Sequence, residues 1–269
     1  MSRKTKNRAS KLTKAHKRLL DNINDDYDDY PMKKKNRGMK SQHEYAQFEK
    51  EVTSDKFTYQ AEPINPKTQN QADYLYSLCD DSIPCVIVSG PAGTGKTYVS
   101  TSCAVDALLS GKYEKIIITR PIQEAAKNGK IGFLPGNLME KTEPYFRPVR
   151  DVIEERIGVG RTKYLLEKGI IEFQSLELLR GANFNHSFII ADEMQNCTKG
   201  QIELILSRLG EGSKICLDGD IAQADITNSG LEDCIKRFKN SKYVDHIEFG
   251  IDDIVRSGFC KEVILRYRD

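Results

Sequence analysis

The stretch VIVSGPAGTGKTYVS constrains the fold of this chain more than any other part of its sequence. It contains the pattern G-x-x-x-x-G-K-[ST] between an apolar run and a segment that can be helical. Glycines in such a loop let the backbone form a nest whose N–H groups converge on phosphate oxygens, and the following helix adds its positive end. An ordinary glycine turn is the competing interpretation, but the full pattern in this context favours a nucleotide-binding loop.

Two side chains of this loop have separate predicted tasks. Lys96 can bridge the β- and γ-phosphates as a point charge, and the Thr97 hydroxyl can ligate the Mg²⁺ that the phosphates also hold. We therefore predict binding of ATP or GTP together with Mg²⁺. The predicted nucleotide-binding residues run through the loop into the next helix: Gly90, Pro91, Ala92, Gly93, Thr94, Gly95, Lys96, Thr97 and Tyr98.

Short apolar runs alternate with amphipathic stretches through most of the chain. Runs of this kind, rich in Ile, Val and Phe, predict an α/β fold with a parallel sheet covered by helices on both faces. A later stretch, HIEFGIDDIVRSGFCKEVILRY, is predicted to close the sheet as a strand and a helix packed back on it. We assign one domain to residues 47–269. The runs are CVIVSG, KIIITRP, GIIEFQS, SFIIADE and SKICLDGD.

The chain begins with a segment of different composition. Residues 1–20 are rich in Lys and Arg and contain no acid, and the next stretch turns acidic and then basic again. Because hydrophobic residues are sparse and charges come in blocks, residues 1–46 are predicted to form a charged arm that is mobile or loosely helical. Such an arm can lie on nucleic-acid phosphates, and a merely solvated charge run is the equal alternative.

Composition and charge bear on whether the chain is a membrane, secreted or nucleic-acid-binding protein. The net charge of +2 gives no overall argument for nucleic acid or membrane. No apolar run is long enough to cross a bilayer, and the basic start has no apolar signal core, so we expect a cytoplasmic protein without a membrane partner. The seven cysteines are scattered without a C-x-x-C pair, which predicts reduced thiols.

Acidic and amide side chains follow two of the apolar runs. Asp192 and Glu193 end one run, where Asp192 can hold Mg²⁺ through its water shell and Glu193 can activate the attacking water. Gln223, in the G-D-x-x-Q stretch after the next run, can bond both the γ-phosphate and that water, which would make it a sensor of hydrolysis. Helix capping by the acids and an ordinary polar turn are the alternatives, which the upstream loop disfavours.

The order of the motifs resembles the PhoH-like family, the phosphate-starvation-inducible P-loop ATPases. The resemblance covers nearly all of residues 66–267, and the short chain is similar to forms carried by bacteriophages, in which case the cytoplasm is the host's. The segments that carry it are KTQNQ, GPAGTGKTYVS, ITRP, IGFLPGNLMEKTEPYFRPVRD, LELLRG, FIIADEMQN, SRLGEGSKICLDGD, IAQADITNSGL and DDIVRS.

The resemblance implies a core like the first RecA-like domain of superfamily 1 helicases, action on RNA or single-stranded DNA, and often a hexameric ring. It implies the roles given above for the loop, the acidic pair and Gln223. It adds Gln71 as the reader of the adenine edge, which favours ATP over GTP. The chain departs from the family where RGAN replaces the usual RGRT and where Met194 replaces Ala. No nuclease domain is expected, since the arm is too short for one.

Hydrolysis builds negative charge on the γ-phosphate, and an arginine finger commonly accelerates this reaction by orders of magnitude. Superfamily 1 helicases take the finger from a second RecA-like domain, which we do not find here. A neighbouring copy is then expected to supply it, with Arg208 and Arg256 as first candidates and Arg147 and Arg180 behind them. Ordinary surface ion pairs are the alternative, and Arg120 is considered as a residue facing nucleic acid.

The segment KNGKIGFLPGNLMEKTEPYFRP contains too much Gly and Pro to predict regular structure. Its aromatic and apolar side chains are predicted either to stack on bases in a strand channel or to anchor a long loop to the core. Nearby lysines add positive charge that fits the first interpretation. The residues concerned are Phe133, Leu134, Tyr145 and Phe146, with Lys127, Lys130 and Lys141.

The leading hypothesis is an ATPase that depends on nucleic acid, an RNA or single-stranded DNA translocase or helicase working as a homo-oligomer. An ATP-gated binding switch with slow hydrolysis, which would control a partner protein, is the alternative. A P-loop kinase fits less well, because kinases must exclude the water that Glu193 and Gln223 would serve.

Overall fold

The structure is a computed structural model that describes residues 62–121, 138–179 and 181–267, with the backbone alone for residues 138–144 and Leu265. The predicted arm and the first residues of the assigned domain lie outside the described residues. The same holds for Lys127, Lys130, Phe133, Leu134 and Arg180, and for the side chain of Lys141.

Six parallel strands form a single sheet in the order β3-β2-β4-β5-β1-β6. Because β1 lies between β5 and β6, the loop that follows it opens beside the carboxyl ends of β5 and β4. All six predicted strands are confirmed. Their bounds are β1 Cys85–Ser89, β2 Lys115–Arg120, β3 Ile171–Ser175, β4 Ser187–Ala191, β5 Lys214–Gly219 and β6 Val244–Glu248.

Helices cover both faces of this sheet, as predicted. Side chains alternate along β1, so that Val86 and Val88 pack into one apolar cluster and Ile87 packs into the other. The buried cysteines act as small apolar residues, and all seven thiols are free. The helices are α1 Gln69–Cys79, α2 Lys96–Leu109, α3 Leu138–Ile157, α4 Val159–Glu167, α5 Lys199–Leu206, α6 Gly230–Arg237 and α7 Gly258–Arg266.

The prediction of irregular structure for the Gly- and Pro-rich segment is wrong for its second half, which lies in α3. Phe146, Val149 and Ile153 recur at helical spacing and are buried against the sheet. This apolar face outweighs the backbone hydrogen bonds lost at Pro144 and Pro148. Phe146 contacts Phe173 with ring centroids 5.1 Å apart, so it anchors the core, whereas Tyr145 is exposed.

The last helix differs from the expectation that it would pack back on the sheet. Phe259 is 76% exposed and Val263 is 38% exposed. The reason lies in the segment before α7, which turns toward the loop between β1 and α2, called the phosphate loop below. There the N–H of Val255 donates to the carbonyl of Gly93. No helix among the described residues is long and apolar enough to span a membrane.

A buried ion pair joins two of the helices on one face. The Arg156 guanidinium of α3 donates from Nε to Oδ1 of Asp106 on α2 at 3.0 Å, and both residues are less than a tenth exposed. Arg156 also donates to the carbonyl of Glu62 at 3.3 Å. The pair therefore fixes the helix that begins at the phosphate loop.

We expect Arg156→Met to lower the free energy of unfolding by about 3–5 kcal/mol, because it removes the guanidinium that pairs with the buried Asp106 carboxylate. Adding Asp106→Leu should recover more than half of that loss. Urea denaturation of the two variants checks this prediction. Equal losses in the single and double variants would contradict it.

Candidate nucleotide site

The loop between β1 and α2 has positive φ angles, which favour glycine, at Gly90, Gly93 and Gly95. Gly90 has φ +140°, and a Cβ added there would lie 2.4 Å from the carbonyl oxygen of Phe249. Gly93 has φ +81°, and a Cβ there would crowd the side chain of Arg256 at 3.0 Å. Side chains at these points would therefore displace the segment that follows β6.

Lys96 begins α2 and turns back over the loop. Its Nζ donates to the carbonyls of Gly90 at 2.9 Å and Pro91 at 3.0 Å, and it lies 3.9 Å from Oδ1 of Asp218. The ammonium group is thus held at the mouth of the nest by neutral and acidic oxygens. Phosphate oxygens offer the same kind of acceptor with more charge.

Thr97 faces the end of β5. Its hydroxyl donates to Oδ2 of Asp218 at 3.1 Å. Asp218 is 2% exposed and lies opposite Val88 in the pairing of β5 with β1. The predicted metal ligand of the loop therefore contacts a buried carboxylate to which the sequence analysis gave no role.

The acidic pair lies one strand further along. The Glu193 carboxylate accepts from Arg120 Nη2 at 2.7 Å and from Gln195 Nε2 at 2.6 Å. Arg120 Nε is also 3.4 Å from Oδ2 of Asp192, and the guanidinium donates to the carbonyl of Tyr145. Glu193 adopts φ +58°, a left-handed conformation that is uncommon outside glycine.

This arrangement gives Arg120 a partner within the chain, while its contact with nucleic acid stays a prediction. The carboxyl ends of β2 and β4 are neighbours in the sheet, so the side chain that ends β2 meets the acids that follow β4. In the described structure Arg120 is engaged with Asp192 and Glu193.

Two amides of the DEMQN motif link the acidic pair to the turn that carries Gln223. Gln195 Oε1 accepts from the N–H of Asp220 at 3.2 Å, and Asn196 Oδ1 accepts from the N–H of Asp225 at 2.8 Å. Both amides are 2% exposed. Gln223 itself is exposed and lies in a short 3-10 turn, so its side chain is accessible to a ligand.

Burial controls the acid–base properties of this crevice. Burial raises the pKa of Asp192, although Arg120 acts in the opposite direction. Burial also raises the pKa of Asp218 to about 7, with Lys96 opposing the shift and Asp192 adding to it. The free site therefore holds more negative charge than its surroundings stabilise, which favours binding of a cation.

The residues fit Mg²⁺ as an ion shared with phosphates. Hydroxyl and carboxylate oxygens are the hard ligands that Mg²⁺ prefers, and here they come from Thr97 and Asp192. Within the described ranges no three His, Cys, Asp or Glu side chains converge closely enough to hold a metal by themselves. An ion that keeps several waters and phosphate oxygens suits such an incomplete shell.

Gln71 braces the loop from α1. Its Nε2 donates to the carbonyl of Thr94 at 2.8 Å, and its Oε1 accepts from the N–H of Lys67 at 2.7 Å. The side chain is 4% exposed. The role of adenine reader stays a prediction, and it would have to use the second N–H or lone pair of this amide.

The segment that follows β6 braces the loop from the other side. Asn70 donates to Oδ2 of Asp253 at 2.7 Å, and the same oxygen accepts from the N–H of Gly250. The Phe249 N–H donates to the carbonyl of Ser89 at 2.7 Å. These bonds hold the Arg256 side chain next to Gly93 of its own chain.

The arginine candidates occupy different places. Arg208 lies before β5, where its carbonyl accepts from the N–H of Phe184, at the edge of the sheet that holds the amino ends of the strands. Its Nε is buried and has no hydrogen-bond partner within the described part of the chain. Arg256 contacts its own phosphate loop, and Arg147 is exposed on α3.

The predicted site residues come together in part. Most loop residues, the acidic pair and the Gln223 turn lie at the carboxyl ends of the strands, with Tyr98 exposed in the first turn of α2. Sequence analysis missed Asp218, Arg120 as the partner of the acids, and Gln195 as their link to the next turn. The sequence did contain a signal for Asp218, because an acid stands among the last residues of the apolar run SKICLDGD.

Comparisons with known proteins give a consistent result. A model of the PhoH-like protein family matches residues 63–268. The PhoH-like protein of Bacillus subtilis (strain 168) is 38% identical over 223 residues, which cover 82% of this chain and 68% of that protein. The protein PhoH of Escherichia coli (strain K12) is 38% identical over 210 residues, covering 76% of this chain and 58% of that protein.

A third relative agrees with these two. The PhoH-like protein of Mycobacterium leprae (strain TN) is 36% identical over 221 residues, covering 81% of this chain and 62% of that protein. The matched part of the chain thus spans 58–68% of the length of these relatives.

Asp218→Asn should stabilise the free protein at high pH. The pKa of about 7 in the folded state exceeds the usual Asp value, so the folded state binds more protons between the two values and loses stability as pH rises. We expect the melting temperature of Asp218→Asn to exceed that of the wild type by on the order of 5 °C at pH 8. The difference should shrink toward pH 5, and a constant or reversed difference would contradict the assignment.

Proposed function

The chain belongs to the PhoH-like family, a family of P-loop ATPases, and from this premise we propose that it is a Mg²⁺-dependent ATPase whose turnover depends on RNA or single-stranded DNA. In this proposal it acts as a translocase or helicase, and neighbouring copies complete each other's sites in a homo-oligomer. Its place of action is the cytoplasm.

The observation that carries the proposal is the position of the Glu193 carboxylate. It is held by Arg120 and Gln195 at the carboxyl edge of the sheet where the phosphate loop opens. A carboxylate at this point serves to accept a proton from water. A kinase site must exclude water, so this feature favours hydrolysis.

The side chains of this chain divide the work of hydrolysis. Lys96 exchanges the carbonyls of Gly90 and Pro91 for phosphate oxygens, while Thr97 and Asp192 hold the metal side of the nucleotide. Bound Mg²⁺ supplies charge neutralisation on the phosphates. Glu193 takes the proton of the attacking water, and Gln223 responds to the presence of the γ-phosphate.

Arg208 is our candidate for the finger supplied by a neighbouring copy. It lies at the amino edge of the sheet, about 17 Å or one strand length from the edge that carries the phosphate loop. It therefore cannot reach its own site. Arg256 contacts Gly93 of its own loop, so we assign it a role in the same chain.

One observation favours the alternative, an ATP-gated binding switch. Glu193 is restrained by Arg120 on one oxygen and by Gln195 on the other. When both oxygens of the base accept hydrogen bonds, it takes a proton from water less readily and ATP hydrolysis is slow. ATP could then persist long enough to control a partner protein. The dependence of turnover on polynucleotide separates the two functions, since a motor accelerates on single strands and a switch does not.

Glu193→Gln should lower ATP hydrolysis by about 100-fold or more, because it removes the base while keeping the shape of the side chain. Binding of a fluorescent ATP analogue should change little. Lys96→Ala should lose both binding and hydrolysis. Full turnover by Glu193→Gln, with or without single-stranded RNA, would contradict the proposed role.

Mixing inactive variants tests the role of Arg208. Arg208→Ala mixed with Lys96→Ala in equal amounts should regain about a quarter of wild-type turnover, because about a quarter of the interfaces join an intact Lys96 to an intact Arg208. Arg256→Ala with Lys96→Ala is the matched control and should regain none, since each chain then carries a defect in its own site. The reverse pattern would assign the finger to Arg256.

A further inference from the structure

Asp218 is a buried carboxylate that the proposed hydrolysis does not use. It is the penultimate residue of β5, it is 2% exposed, and its pairing with Val88 places it beside the strand that leads into the phosphate loop. Each of its oxygens faces a loop side chain. Oδ2 accepts the hydroxyl of Thr97 at 3.1 Å, and Oδ1 lies 3.9 Å from Nζ of Lys96.

The fold alone gives little reason for an acid at this position. A buried carboxylate needs a close counter-charge, yet Lys96 is 3.9 Å away and is hydrogen-bonded to two carbonyls instead. The other charged groups that act on Asp218 are Asp192 and Glu193, and both repel it. An amide of the same shape would accept the Thr97 proton without this repulsion. The Asp218 carboxylate therefore lowers the stability of the folded protein relative to an amide, which is common at functional sites.

The contact with Thr97 shows what the charge can do. A hydroxyl has one proton and two lone pairs, so an acceptor that fixes the proton also fixes the direction of the lone pairs. Partners behind a metal ligand orient it and increase its basicity. Asp218 sits behind Thr97, the loop residue assigned to Mg²⁺, and it brings a full negative charge.

We propose that Asp218 is a positioning residue for Mg²⁺, which orients the Thr97 hydroxyl toward the ion and adds negative charge behind it. This inference rests on the proposed function, because it requires that nucleotide binds together with Mg²⁺. It makes the end of β5, in addition to the acidic pair after β4, part of the metal site.

The test measures the dissociation constant of a fluorescent ATP analogue with Mg²⁺ and with EDTA. Asp218→Asn should weaken binding in Mg²⁺ by about 10- to 100-fold and change binding in EDTA by less than about 3-fold. Asp245→Asn is the matched control, because Asp245 lies on the edge strand β6, away from the site, and accepts a hydrogen bond from the Ser77 hydroxyl of α1. It should leave both constants unchanged.

A double-mutant cycle asks whether Asp218 acts through Thr97. Thr97→Val should itself weaken binding in Mg²⁺, and adding Asp218→Asn to it should cost less than about 3-fold more. Fully additive losses would mean that Asp218 acts independently of Thr97 and would overturn the proposal. Equal losses in Mg²⁺ and EDTA would do the same, since they would point to Lys96 or to the loop itself.

The remaining outcomes also decide the question. Wild-type affinity in Asp218→Asn overturns the inference while leaving the proposed function intact. A wild type whose nucleotide binding ignores Mg²⁺ contradicts the proposed function and the inference with it. Asp218→Ala repeats the test if the amide variant does not fold, and failure of both variants to fold would make Asp218 a structural residue instead.

Discussion

Charged side chains of both signs are packed together in a largely buried crevice at one edge of the sheet, and the other features of the site follow from this packing. Asp192, Glu193 and Asp218 meet Lys96 and Arg120 at the carboxyl ends of β2, β4, β5 and β1. Each group is held by another or by backbone carbonyls, because an isolated charge at such a depth would be costly. A nucleotide with its metal brings matching charges of both signs. In the proposed function these groups exchange their present partners for the nucleotide and its metal.

The loop that would receive the phosphates is braced from both ends of the domain. Gln71 of α1 bonds the carbonyl of Thr94, and the segment after β6 bonds the backbone at Ser89 and Gly93. Asn70 and Asp253 tie these two braces to each other. A change at the loop can therefore reach α1 and the segment before α7 through direct contacts. The exposed apolar residues of α7 lie on the helix that follows this segment.

Much of this could be predicted from the sequence, and the reasons are local. The pattern around Lys96 fixes a strand, a loop and a helix, and short apolar runs mark the buried parallel strands. Contacts between distant segments were harder to predict. Arg120 meets Glu193 only because β2 and β4 are neighbours, and Asp218 reaches Thr97 only because β5 lies beside β1. The helix through Pro148 was missed because composition hid a regular apolar face.

A structure with a non-hydrolysable ATP analogue and Mg²⁺ shows whether the charged side chains exchange their partners for the nucleotide. We expect Lys96 to leave the carbonyls of Gly90 and Pro91 for the phosphates. We also expect the Thr97 hydroxyl to lie about 2.1 Å from the metal while keeping its bond to Asp218. A bound nucleotide that leaves Lys96 on those carbonyls, or a metal with no contact to Thr97, would contradict this expectation.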